Sequence, residues 1–189
     1  MRGDTFKENP IKPNELIEGK CTPEGTRRFV ERGFSERDIP KRNFRKPILE
    51  EGSEFMQLST VGLGTYLGLP DDKTDFDVYN ATKLLIQSNG VNVLDTAINY
   101  RCQKAERAVG AALRTLIGYE DVQRDELFVA SKNGYIPDDS DNGKSAAMLI
   151  EELIEQELIS KEDVAADIHC MHPSFLDHQL KASQKNLGV

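Results

Sequence analysis

The sequence predicts an α/β fold built on a parallel sheet, and three observations predict it. From "FMQLSTVGLGTYLGL" onward, short apolar runs alternate with longer stretches whose apolar residues recur at helical spacing. Helix stops such as Asn89-Gly90 and Gly188 close those stretches. The first 48 residues share neither pattern. A helix between two strands carries the chain back to start the next strand parallel to the last, so this alternation reads as βα units. At 189 residues the chain is long enough for one ordinary domain with a real core.

Residues 1–48 read as an irregular arm, rich in proline and charge, with one short helix around "TPEGTRRFVERGF". The arm wraps a core made by residues 49–189. It carries 12 Lys+Arg against 8 Asp+Glu, so the strongly acidic balance of the whole chain, net −8, comes from the rest. Its "KRNFRK" stretch reads as a solvated face, because acidic residues lie just upstream and no nucleic-acid-binding motif follows.

The first βα unit pairs a strand near residues 57–64 with a helix over "DFDVYNATKLLIQSNG", where Val78, Ala81, Leu84 and Leu85 make the apolar stripe. The second pairs "VNVLDTAI" with "QKAERAVGAALRTLIG", striped by Ala105, Val109, Ala112, Leu113 and Leu116 and closed by Gly118. "ELFVASK" is the third strand. A turn-rich connection, "NGYIPDDSDNGKS", then leads to helices over "AAMLIEELIEQELI" and "FLDHQLKASQKNLG".

Conspicuous polar residues fall at the strand ends. Gly64, Thr65 and Tyr66 end the first strand, Asp95 ends the second with Tyr100 in the loop after it, and Lys132 ends the third. In a parallel sheet these points share one edge, where strands about 4.8 Å apart let side chains meet. The residue types suit proton transfer. A tyrosine, with a reference pKa of about 10, is a poor acid at neutral pH, and burial makes it poorer. A lysine cation in direct contact lowers such a value by about 1–3 units and wins. Asp95 would hold Lys132 charged and in place, and Tyr100 could then protonate a carbonyl oxygen as a nicotinamide hydride arrives at the carbon.

Other motifs carry less. "GLGTYLG" spaces its glycines one residue too far apart for a Rossmann fingerprint, and "LPDDKTD" intervenes before any helix. His169, His172 and His178 lie beside Cys170 without zinc-ligand spacing, which assigns them packing and hydrogen bonding in a loop and no metal. Cys21, Cys102 and Cys170 are odd in number and widely spaced, as expected of reduced thiols in a cytoplasmic protein. Nothing approaches the roughly 20 apolar residues of a membrane span.

"VGLGTYLG", "VLDTAINYRCQKAERAVGAAL", "RDELFVASKNGYIP" and "HCMHPSFLDHQLKASQKNLGV" resemble successive blocks of the aldo-keto reductases, and "CTPEGTRRFVERG" is similar to what precedes the barrel in one branch of that family. The resemblance implies a (β/α)₈ TIM barrel, NADPH as cofactor, a small-molecule carbonyl substrate, and the catalytic roles of Asp95, Tyr100 and Lys132. It implies that Gly64, Thr65, Tyr66 and Asp95 contact the nicotinamide end of the cofactor. A full barrel needs about 250 residues, so the chain is expected to hold only a partial barrel of the first three or so βα units. The family's catalytic histidine follows a helix matched here by "SQKNLG", after which the sequence has one residue. His172, upstream of that helix, is the one candidate to stand in. A truncated, non-catalytic binding or regulatory fragment is therefore the alternative to an active reductase, and self-association through open sheet edges is expected of either.

Overall fold

The structure, a computed structural model, describes residues 11–12, 15–45 and 55–189. The expected boundary near residue 48 lies outside them, as does the start of the arm. Among the described residues the chain is α/β, with five α-helices and a small parallel sheet.

The arm's short helix is a full one, α1 (Pro23–Arg37). Thr22 caps it by accepting from Gly25 N, Pro23 suits the first turn, and Asp38 closes it in the left-handed conformation. Its Phe29 and Val30 are buried in the main core with Leu94, Leu113 and Leu127, so α1 helps to build the core it was expected only to wrap. Burying two such side chains contributes about 1.5–3 kcal/mol each. Polar contacts fasten the helix further. Arg32 makes a two-pronged pair with the fully buried Glu126, at 2.9 and 2.7 Å, and Arg28 reaches Asp125 at 2.6 Å.

The strand expected over 57–64 is two strands. Leu58–Ser59 (β2) pairs antiparallel with Phe44–Arg45 (β1), and only Leu63–Gly64 (β3) joins the parallel sheet. The chain bends between them, where Ser59 Oγ donates to the Val61 carbonyl at 2.8 Å and Thr60 N is drawn to Asn43 O.

Helix α2 (Asp72–Gln87) is capped by Asp71, which accepts from Thr74 N. Its buried residues are Thr82 and Ile86, whereas Leu84 is 67% exposed. The expected stripe was therefore rotated, because Thr82 buries its hydroxyl on Val78 O at 2.8 Å and so passes for apolar. Strand β4 (Val93–Asp95) follows. Helix α3 (Lys104–Tyr119) buries all five residues of its expected stripe and runs one residue past Gly118. Strand β5 (Phe128–Ala130) completes the order β3-β4-β5, all parallel, with Gly64 opposite Asp95 and Asp95 opposite Ala130.

A second core forms beyond the sheet. Helix α4 (Ala146–Glu155), a hairpin of β6 (Val164–Ala165) and β7 (His169–Cys170), and helix α5 (Pro173–Leu187) enclose Ile136, Leu153, Ile159, Cys170 and Phe175. The hairpin was not expected: its turn places Ala166 and Asp167 in the left-handed region, and neither is the glycine or asparagine that signals such a turn. Gly188 caps α5 in the left-handed conformation, as the sequence suggested.

Candidate active site

The register of the three parallel strands brings Gly64, Asp95 and Ala130 side by side at one edge of the sheet. Lys132 lies two residues past its strand, on an extension that curls back over the edge. Its Nζ donates to Asp95 Oδ1 and, at 2.9 Å, to the Thr96 carbonyl. The same ammonium sits over the Tyr100 ring, 4.7 Å from the centroid. The carboxylate, the phenol and the ammonium therefore meet at one place, with Asp95 52% and Lys132 47% exposed at their side chains.

Partial burial works to lower the pKa of the Lys132 ammonium, but interactions with Asp95 and Tyr100 outweigh it and hold the group above the ordinary lysine value. The lysine is thus a fixed positive charge throughout the neutral range.

The residues of the first strand divide in two. Gly64 is exposed, and a Cβ built on it meets nothing within 4 Å. Tyr66 is also exposed and packs edge-on against Tyr100, with ring centroids 5.0 Å apart. Thr65 instead faces inward at 2% exposure, its amide donating to Asp95 O at 3.1 Å and its hydroxyl paired with Thr96 Oγ1 at 2.9 Å. Thr65 thus locks β3 to β4 from behind while Gly64 and Tyr66 open outward.

Several supporting residues were not singled out from the sequence. Thr96 offers Lys132 its carbonyl and Thr65 its hydroxyl. Behind Lys132, Ser131 Oγ donates to the fully buried Glu106 at 2.6 Å, and Asn186 Nδ2 donates to the other carboxylate oxygen at 3.0 Å. Glu106 left a trace, being a charged residue three before Val109 and seven before Leu113 on the apolar face of α3. The turn between Tyr100 and α3 left none: Arg101, Cys102 and Gln103 take φ of 49°, 54° and 72°, three consecutive left-handed residues without a glycine. Each such residue costs of order 1 kcal/mol and persists only where its surroundings impose it.

The histidines lie elsewhere. His172 caps α5, its Nδ1 accepting from Ser174 N at 3.3 Å, and His169 packs edge-on against Tyr135. A cleft of about 770 Å³ is at the opposite edge, where Ile86–Asn89 and Glu120–Val122 precede β4 and β5. A cleft of about 220 Å³ beside β5 is lined by Lys132, Asn133 and Leu187 and adjoins the cluster.

The Aldo/keto reductase family model matches residues 60–189, which include the whole parallel sheet and all of the cluster. The chain belongs to the aldo/keto reductase family. Comparison with curated proteins returned no match. Aldo/keto reductases are oxidoreductases that use a nicotinamide cofactor on small-molecule carbonyl compounds. Among the described residues of this family member, no helix is long and apolar enough to cross a membrane.

Proposed function

We propose that this chain reduces an aldehyde or ketone, with Tyr100 as proton donor and NADPH as the source of the hydride. The observation that carries the proposal is the position of Lys132, bonded to Asp95 and seated over the Tyr100 ring. When a substrate carbonyl takes the proton from the Tyr100 hydroxyl, the ring is left as a phenolate, and the ammonium beside it stabilises that charge. Asp95 and the Thr96 carbonyl keep the ammonium aimed at the ring, so little reorganisation is needed as the proton moves. Solvent at the exposed edge then restores the phenol proton.

The exposed face suits the flat end of a nicotinamide cofactor. The space above Gly64 would admit a ring against the strand end, Tyr66 and Asp95 flank that space, and Thr65 would serve the contact by fixing β3. Bound NADPH would supply the hydride that the carbonyl carbon receives. We further infer that the sheet is the first arc of a (β/α)₈ barrel: each strand neighbours the next in sequence, a helix lies between them, and the cluster occupies the carboxyl edge where barrels carry their chemistry.

The test is Tyr100→Phe in the purified chain, read by NADPH-dependent carbonyl reduction and separately by NADPH fluorescence titration. Turnover should fall roughly 10²-fold or more, the usual contribution of a positioned general acid, while NADPH affinity stays nearly unchanged. Undiminished turnover would remove Tyr100 from its role. A wild-type chain that binds NADPH but reduces nothing would favour the non-catalytic alternative.

A further inference from the structure

The loop that delivers Tyr100 is held by a buried arginine. Arg101 follows the tyrosine directly, yet its side chain is 1% exposed and turns away from solvent toward the start of α2. Nη1 donates to Asp75 Oδ1 at 2.6 Å and, more loosely, to the Leu69 carbonyl at 3.5 Å. Nε and Nη2 are buried without a protein partner among the described residues. A guanidinium buried with unpaired donors is unfavourable, and an apolar side chain would fill the same space at less cost. The backbone at this point is strained as well, through the left-handed run at 101–103. Two unfavourable features at adjacent positions call for a common compensation.

The geometry points to one. Asp75 and Leu69 flank the loop that follows β3, and that loop carries Tyr66, whose ring is the edge-on neighbour of Tyr100. The far side of the turn is pinned separately: Gln103 Nε2 donates to Asp138 O at 3.4 Å, and its Oε1 accepts from Asn186 Nδ2 at 3.2 Å. At its Tyr100 end the turn has backbone bonds, Tyr100 N to Ala97 O at 3.1 Å and Ala105 N to Tyr100 O at 3.4 Å, and Arg101 adds the side-chain tether there. We propose that Arg101 is a positioning residue for carbonyl reduction, its tether to Asp75 and Leu69 holding the left-handed turn that sets the Tyr100 ring against both Lys132 and Tyr66. This inference rests on the reductase reading for its meaning in catalysis, but its geometry can be tested without turnover.

The experiment compares the wild-type chain with Arg101→Met, Arg101→Lys and Asp75→Asn by two readouts. The first is the proton NMR contact between the Tyr66 and Tyr100 rings, assigned with Tyr100→Phe. The second is NADPH-dependent reduction of 4-nitrobenzaldehyde. Arg101→Met should lose the ring contact and lower kcat roughly 10²-fold, as expected for a misplaced acid, with KM within about threefold of wild type. Arg101→Lys, which keeps the charge and a donor toward Asp75, should recover most of both. Asp75→Asn weakens the tether from its outer end but also loosens Lys104, whose Nζ donates to Asp75 Oδ2 at 2.8 Å, so Lys104→Met is run beside it, and the pair carries the same test if Arg101→Met does not fold. A folded Arg101→Met or Asp75→Asn that keeps the ring contact and turns over at the wild-type rate would overturn the proposal. A wild-type chain that reduces no carbonyl overturns the reductase reading instead, and the ring contact alone then decides whether Arg101 places Tyr100.

Discussion

Asp95 and Lys132 are both about half exposed, and an ion pair in such a setting contributes only about 0–1 kcal/mol to stability. Its value must therefore be sought in geometry. Asp95→Asn leaves Lys132 bonded to the Thr96 carbonyl but removes the charge that aims it. The expected outcome is a melting temperature close to wild type with carbonyl reduction down roughly 10²-fold, the loss typical of one preorganised electrostatic partner. Calorimetry beside steady-state kinetics checks it, and a large fall in melting temperature would mark the pair as structural. Asp95, Tyr100 and Lys132 were legible in the sequence because each lies at or just beyond a strand end. Thr96 and Glu106 were not singled out, since what they do depends on the residues opposite them.

At the scale of elements, close helix contacts set the limits. Gly110 lies in α3 against the end of α5, and a Cβ added there would stand 2.3 Å from Asn186 O and 2.8 Å from Leu187 O. Alanine improves helix propensity by about 1 kcal/mol, but forcing backbone apart costs about 1–3 kcal/mol and wins. Gly110→Ala should thus lower stability by up to about 2 kcal/mol in urea unfolding, and it should disturb the Asn186 bond to Glu106 behind Lys132. The clamp between α1 and the segment before β5 makes a second prediction. Glu126→Gln leaves Arg32 facing a neutral amide in a buried site and should cost about 1–3 kcal/mol, whereas adding Arg32→Met should recover part of the loss by removing the orphaned charge. A double-mutant cycle reads the coupling. The α3 stripe was legible because five apolar side chains kept one period. The stripe of α2 is rotated from the one its apolar residues suggest because a threonine that satisfies its own hydroxyl packs as an apolar residue.

At the scale of the whole molecule, the carboxylates paired with Arg107 and Lys104 contribute to the acid limb of stability. Arg107 grips Asp139 with two hydrogen bonds of 2.8 Å, while Asp141 is shared between Arg107 and Lys104. The Arg107 guanidinium, opposed by partial burial and aided by Asn142, holds the Asp139 carboxyl at about 2 against an ordinary 3.8. A depressed carboxylate contributes stability that is present above its unfolded value and lost as pH falls through its folded one. The wild-type melting temperature should therefore carry a component that falls between about pH 4 and about pH 2. Asp139→Asn should melt lower at neutral pH yet fall less steeply across that interval, and thermal melts at stepped pH would show it. By itself the sequence determined the order of the three parallel strands and their helices and the residues at or just past the strand ends, because periodicity, caps and strand-end placement are local properties that need no neighbour. Only the tertiary structure decided that 57–64 would split between two sheets, that the arm's helix would join the core, and that three residues would take left-handed conformations behind Tyr100. Those outcomes depend on partners distant in the chain, Phe44, Glu126 and Asp75 among them, whose contacts offset local costs that no short stretch of sequence reveals.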